Sequence, residues 1–387
     1  MPRFFNRLRP DGRGVIAGAL ASVALAATAA VGAPAASATT IPVFTCDWQD
    51  MSLSNGWHSE QNAYGTGNPA YCVTGEGMVY LSGSLAQPTA DSNEFAVLPP
   101  SARPAHNLYL SVYTFDGAAG VLQINTDGEM FAYNAQYQGD ARDFTSLAGV
   151  SFPAAGAVAE KPLTLLNGWQ SAQSQWSTGD PSYSLINGIV HLSGSLNGSQ
   201  VPAGLGDQAK EFAVLPQEAR PDYCSPMETY DYSGSPGSVE VDPQGVMRSF
   251  VEGGFVYQSA ASEFTSLAGI SYPVAAWTPW QELTLEHGWI QDPGYCATGN
   301  SGYPSYYIKE NVVYLTGTLG QLSPNGNGVF AVLPPAARPY DTLYFNLSTD
   351  GNAHVSLRIS PDGTMYLWGA NAPGLTSLAG LSYQLTS

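Results

Sequence analysis

One phrase occurs three times in this chain: EFAVLPPSARP from Glu94 to Pro104, EFAVLPQEARP from Glu211 to Pro221 and VFAVLPPAARP from Val329 to Pro339, with eight of eleven positions common to all three. The copies start 117 and 118 residues apart. That period is too long for a solenoid unit and suits whole domains, so the chain reads as three tandem copies of one domain.

Other landmarks recur in the same order within each copy. Leu53-x-Asn55-Gly56-Trp57 returns as Leu165-x-Asn167-Gly168-Trp169 and as Leu285-x-His287-Gly288-Trp289. A loop then ends in Pro-x-Tyr at Pro69 and Tyr71, Pro181 and Tyr183, and Pro304 and Tyr306. The alternating run Val79 to Leu85 predicts a strand covered on one side, with Leu81, Gly83 and Leu85 inward. Phe95 to Leu98 predicts a buried strand that Pro99 stops, and Arg103-Pro104 restarts the chain in an extended conformation. Asp127-Gly128, Gln244-Gly245 and Asp362-Gly363 mark hairpin turns. Thr-Ser-Leu-Ala-Gly closes each copy at 145–149, 265–269 and 376–380.

No window carries a sustained helical period. Short strands punctuated by turns, in about 110 to 120 residues per copy, predict an all-β fold of three β-sandwich or jelly-roll-like domains. The expected boundaries are a leader at 1–38 and repeats at 39–158, 159–277 and 278–387. Pro- and Ala-rich linkers from Pro153 to Lys161 and from Pro273 to Pro279 are short and stiff, which predicts close neighbours.

The leader has a basic start (Arg3, Arg7, Arg9, Arg13), a small apolar run from Val15 to Ala33 and Ala36-Ser37-Ala38, a pattern that predicts export and cleavage after Ala38. Loss of residues 1–38 changes the formal charge from −18 to −21. Such a chain disfavours nucleic acid and anionic membrane surfaces. No later stretch is apolar for long enough to span a bilayer.

Four cysteines in an exported protein predict two disulfides, for which three connectivities exist. Cys46 and Cys72 lie in the first repeat and are expected to pair. That leaves Cys224 of the second repeat to bridge Cys296 of the third.

Internal comparison separates structural from variable positions. The repeated tryptophans read as core, and Arg103, Arg220 and Arg338 read as ties to backbone carbonyls or a carboxylate. The copies differ in the loops between Trp and Pro-x-Tyr. There Tyr64, Tyr71, Trp176, Tyr183, Tyr303, Tyr306 and Tyr307 are candidate ligand-binding rings, each with a stacking face and a polar edge. The same rings would equally well pack the rim of a sandwich.

The sequence lacks GxSxG, HExxH, P-loop and dinucleotide-binding patterns, CxxC pairs and a calcium-loop ladder. No catalytic residue, metal or cofactor is expected. A secreted glycan hydrolase stays open as the least favoured alternative: paired carboxylates meet only in space, but Asp127, Asp242 and Asp362 read as turn formers and Glu94 and Glu211 give way to Val329.

The ordered landmarks (LxNGW, V-x-L-x-G, a Leu-Pro step into Arg-Pro, a DG hairpin, a closing SLxG strand) resemble the C-terminal domain of bacteriophage tail-fibre and baseplate receptor-binding proteins. The resemblance covers almost all of residues 45–387. It implies a non-catalytic β-sandwich head, usually trimeric, that attaches to cell-surface carbohydrate or wall polymer. In one chain with three copies it further implies a monomeric pseudo-trimer. The expected function is therefore secreted binding or adhesion through surface or cell-wall carbohydrate. The alternative is a structural extracellular coat or assembly component with no small ligand.

Overall fold

The computed structural model builds each repeat from antiparallel sheets, three in the first and third repeats and two in the second. The model describes residues 46–385 except 90–91, 135–137, 233–234, 252–262, 293–295, 297–299, 322–326, 350–353 and 370–373. The leader expected at 1–38 lies outside the described residues. Among the described residues the architecture is all-β, with helical pieces of at most six residues.

In the first repeat, one sheet orders the strands Gln49–Asp50, Ala70–Val73, Met78–Ser82 and Ser151–Pro153. The second and third repeats copy it with Lys161–Pro162, Ser182–Ile186, Ile189–Ser193 and Ser271–Pro273, then with Gln281–Glu282, Ser305–Lys309, Val312–Thr316 and Ser382–Gln384. Opposite lies a meander of Glu94–Val97, Glu129–Tyr133, Ala119–Ile124 and Leu108–Tyr113, joined through the Thr114–Thr145 bridge to a three-stranded group. In the second repeat, pairing of Asp231 with Thr265 fuses the corresponding strands into one sheet of seven.

Local sequence explains the landmarks. Trp57, Trp169 and Trp289 are each 4% exposed, pack against Phe95, Phe212 and Phe330, and donate their indole N–H to the carbonyls of Ser92, Ala209 and Asn327. Burying an indole with its polar edge satisfied makes this a core position. Arg103, Arg220 and Arg338 donate from Nε to the carbonyls of Leu98, Leu215 and Leu333 at 3.0, 3.1 and 3.0 Å. The guanidinium thus ties the strand end before proline to the restart after it.

Two sequence expectations change. The run from Val79 to Leu85 is not one strand: Gly83, at φ 86°, turns the chain from one sheet into the other. A Cβ there would stand 2.2 Å from the carbonyl oxygen of Asn68, so only glycine fits the corner. Nor is the run covered on one side only, since Tyr80 is buried as well as Leu81. Phe95 to Leu98 is buried except at Val97, which is 53% exposed because a bulge between Glu94 and Ala96 resets the alternation. Val214 and Val332 are exposed at the matching positions.

The described residues within 46–385 form one compact unit in which the repeats meet cyclically. The strands Leu108–Tyr113, Ser225–Asp231 and Leu343–Ser348, one per repeat, each touch the other two. Leu110 of repeat one lies over Gly269 of repeat two, Met227 over Gly380 of repeat three, and Phe345 over Gly149 of repeat one. These are the glycines of the closing Thr-Ser-Leu-Ala-Gly phrase, where a Cβ would sit 2.6 to 2.7 Å from the neighbour's side chain. Backbone bonds follow the same cycle: Asn107 N–H to Ser177 O (3.0 Å), Cys224 N–H to Asn300 O (3.0 Å) and Thr342 N–H to Gly65 O (2.8 Å). A second contact of all three repeats gathers Met78, Ile189 and Val312 with Tyr80 and Tyr314 beside the Cys46–Cys72 disulfide.

Candidate functional site: the grooves between repeats

The seven aromatic candidates do not share one surface. Tyr71, Tyr183 and Tyr306 hold equivalent strand positions against the cores of their own repeats; Tyr183 and Tyr306 are buried and Tyr71 half-buried. Lys161 lies over the Tyr183 ring, and the Tyr306 hydroxyl donates to Gln281 Oε1. Tyr307 is half-buried between Trp280 and Tyr314. Tyr303 is 47% exposed and stands at the surface.

Tyr64 and Trp176 lie at the joints between repeats. Where repeat one meets repeat two, Tyr109 packs with Trp176, Tyr230 and Phe264 at ring distances of 5.9, 6.2 and 5.4 Å. Where repeat three meets repeat one, Tyr344 repeats this with Tyr64, Tyr113 and Phe144 at 6.2, 5.4 and 5.5 Å. The matching positions of the remaining joint carry Pro226, Ser348 and Leu375. That joint is instead crossed by the Cys224–Cys296 disulfide.

Beside each joint, the segment after Arg-Pro faces the first sheet of the next repeat. Three aligned positions decide how open the resulting groove is: Trp48, Glu160 and Trp280 ahead of the first strand; Ala105, Asp222 and Tyr340 after Arg-Pro; and His106, Tyr223 and Asp341 next to those. At the joint of repeats three and one, Trp48 and Tyr340 line a remnant of about 20 Å³. At the joint of two and three, the Trp280 indole bonds to Asp222, offsetting part of the rise that burial imposes on this carboxyl.

The joint of repeats one and two differs. Ala105 and Glu160 stand where the others have bulkier groups, and a cavity of about 280 Å³ opens between Pro104–Leu108, Ser151–Glu160, His191–Ser193 and Ala268–Ile270. This is close to the lower end of small-ligand pockets, roughly 300 Å³. Glu160 Oε2 accepts from Ser182 Oγ and Oε1 from Ser193 Oγ, both at 3.2 Å. His106 Nε2 lies 3.8 Å from Glu160 Oε2, and its ring rests on the backbone of Gly179, where a Cβ would be 2.5 Å away. Pro104, Phe152, Pro153 and Val158 supply apolar wall.

The two serines donate to the carboxylate rather than to an imidazole, so they orient Glu160 and form no serine–histidine relay. Oriented acceptors beside apolar walls are the makings of a polar-ligand pocket. Sequence reasoning missed Glu160 because it falls within a linker read as Pro- and Ala-rich. The available signal was alignment of Glu160-Lys161-Pro162 with Trp48-Gln49-Asp50 and Trp280-Gln281-Glu282. The chain matches no known protein family, no characterised protein and no solved structure.

Proposed function

We propose that this chain is an exported, non-catalytic binding protein that takes surface or cell-wall carbohydrate in the groove between its first and second repeats. The observation that carries the reading is the groove itself: about 280 Å³, against about 20 Å³ at the joint of repeats three and one, holding an imidazole, a serine hydroxyl and an oriented carboxylate. Structural repetition alone would have kept the plugs. The export pattern, the two disulfides, and the ordered landmarks that resemble phage attachment domains support an extracellular attachment role. Among the described residues no helix is long and apolar enough to cross a membrane. On this reading the chain works as a monomer with one ligand site.

The test restores the plug. Glu160→Trp places in the groove the residue found at positions 48 and 280. Retention of the mature chain on purified cell wall or insoluble polysaccharide should then fall at least tenfold, with the melting temperature kept. Unchanged retention rejects the groove as the site.

The coat-component alternative is favoured by one observation, the exposed Val97, Val214 and Val332, one per repeat. Sedimentation that shifts with concentration, and is abolished by Val→Thr at all three, would favour it.

A further inference from the structure

The groove of repeats one and two has one carboxylate and no lysine or arginine in its lining. Lys161, next to Glu160 in sequence, is engaged elsewhere, 3.7 Å from Glu218 and over the ring of Tyr183. His106 is charged only when protonated. Glu160 thus presents two carboxyl oxygens, each steadied by a serine hydroxyl, to a pocket without lysine or arginine. The long-range field of an acidic chain, formally −18 and −21 once residues 1–38 are removed, also concentrates cations.

We infer that the preferred ligand is an amino sugar: a pyranose whose C–H faces lie on the half-buried Pro153 and Val158 and whose protonated amine pairs with Glu160. The inference rests on the carbohydrate reading above and narrows it. An ammonium offers three donors and a full charge to the carboxylate, and a charge-assisted hydrogen bond is about twice as strong as a neutral one. A hydroxyl offers one donor without charge. N-acetylation removes the charge and adds bulk at that position.

Calorimetry on the mature chain with three short oligosaccharides of equal length tests this: β-1,4-linked glucosamine, its N-acetylated counterpart and β-1,4-linked glucose. The expected result is one glucosamine oligomer per chain, bound at least tenfold more tightly than either neutral oligomer. That preference should shrink as salt rises and vanish in Glu160→Gln. The control Glu218→Gln removes a surface carboxylate outside the groove and should leave the preference intact. Equal loss in both variants means diffuse attraction of a polycation to an acidic protein, which overturns the inference. Equal affinity for all three oligomers also overturns it, while leaving the carbohydrate reading in place. If no oligomer binds and cell wall is not retained, the carbohydrate reading itself falls.

Discussion

The amide of Thr342 donates to the carbonyl of Gly65 at 2.8 Å, so the third repeat bonds back to the first. Asn107 with Ser177, and Cys224 with Asn300, are the same bond at the other two joints. Contacts between neighbours thus run head to tail and close after three, as in a cyclic heterologous assembly.

The joint of repeats two and three depends on its disulfide. Cys224–Cys296 spans 72 positions and Cys46–Cys72 spans 26, and the first also crosses a joint without the aromatic cluster. Replacing both cysteines of the longer bridge by serine should cost about 2–4 kcal/mol. It should cost more than the same change in the shorter one. Urea unfolding of the two double variants measures the order.

The aromatic joints should respond according to ring size. Phe264 is fully buried beside Tyr109, Trp176 and Tyr230. Phe264→Ala should cost about 3–5 kcal/mol. Phe264→Leu, which installs the residue found at 375, should cost less than half of that. Thermal unfolding that ranks the two alike would show that the cluster contributes little.

Acid should weaken the fold through His191. Burial holds this imidazole down to about 4, against 6.5 in an exposed histidine. Between those values the unfolded chain binds a proton that the folded chain refuses. Stability therefore falls as pH drops from about 6.5 toward 4, by at most about 1.4 kcal/mol per pH unit, and levels off below. His191→Tyr, matching Tyr80 and Tyr314, should flatten this limb. The difference between the two pH–stability curves gives the result.

Asp231 should act in the opposite sense. It is fully buried where the other repeats have Thr114 and Thr349, and neither carboxyl oxygen has a formed hydrogen bond, although the Thr265 hydroxyl lies near. Burial raises its carboxyl well above the ordinary value, so above about pH 4 folding must take up a proton. Asp231→Thr should stabilise the protein at pH 7 by roughly 1–3 kcal/mol, and the gain should shrink in acid. Guanidinium unfolding at pH 4 and pH 7 checks both halves.

Much of the fold was legible because repetition reveals what the core demands. Trp57, Arg103 and the Thr-Ser-Leu-Ala-Gly phrase recur because each meets a fixed steric or hydrogen-bonding need inside every copy. Gly83 was misread because alternation reports polarity and not backbone direction; its corner is set by the approach of Asn68, fifteen positions away in sequence. Tyr80 and Tyr64 were harder still, since part of the surface that covers each belongs to another repeat. The groove was invisible for a related reason: Glu160 gains its meaning from Ser182, Ser193 and His106, and none of these stands out alone.

The head-to-tail closure within one polypeptide has a genetic consequence. In a homotrimer every substitution appears three times, so a change that opens one interface opens all of them and weakens the whole assembly. Here a codon change at position 105 or 160 touches a single interface, and the other two continue to hold the ring. With the copies in one chain each interface can differ by itself, and positions 105 and 160 carry Ala and Glu at one joint where the others carry Asp or Tyr and Trp.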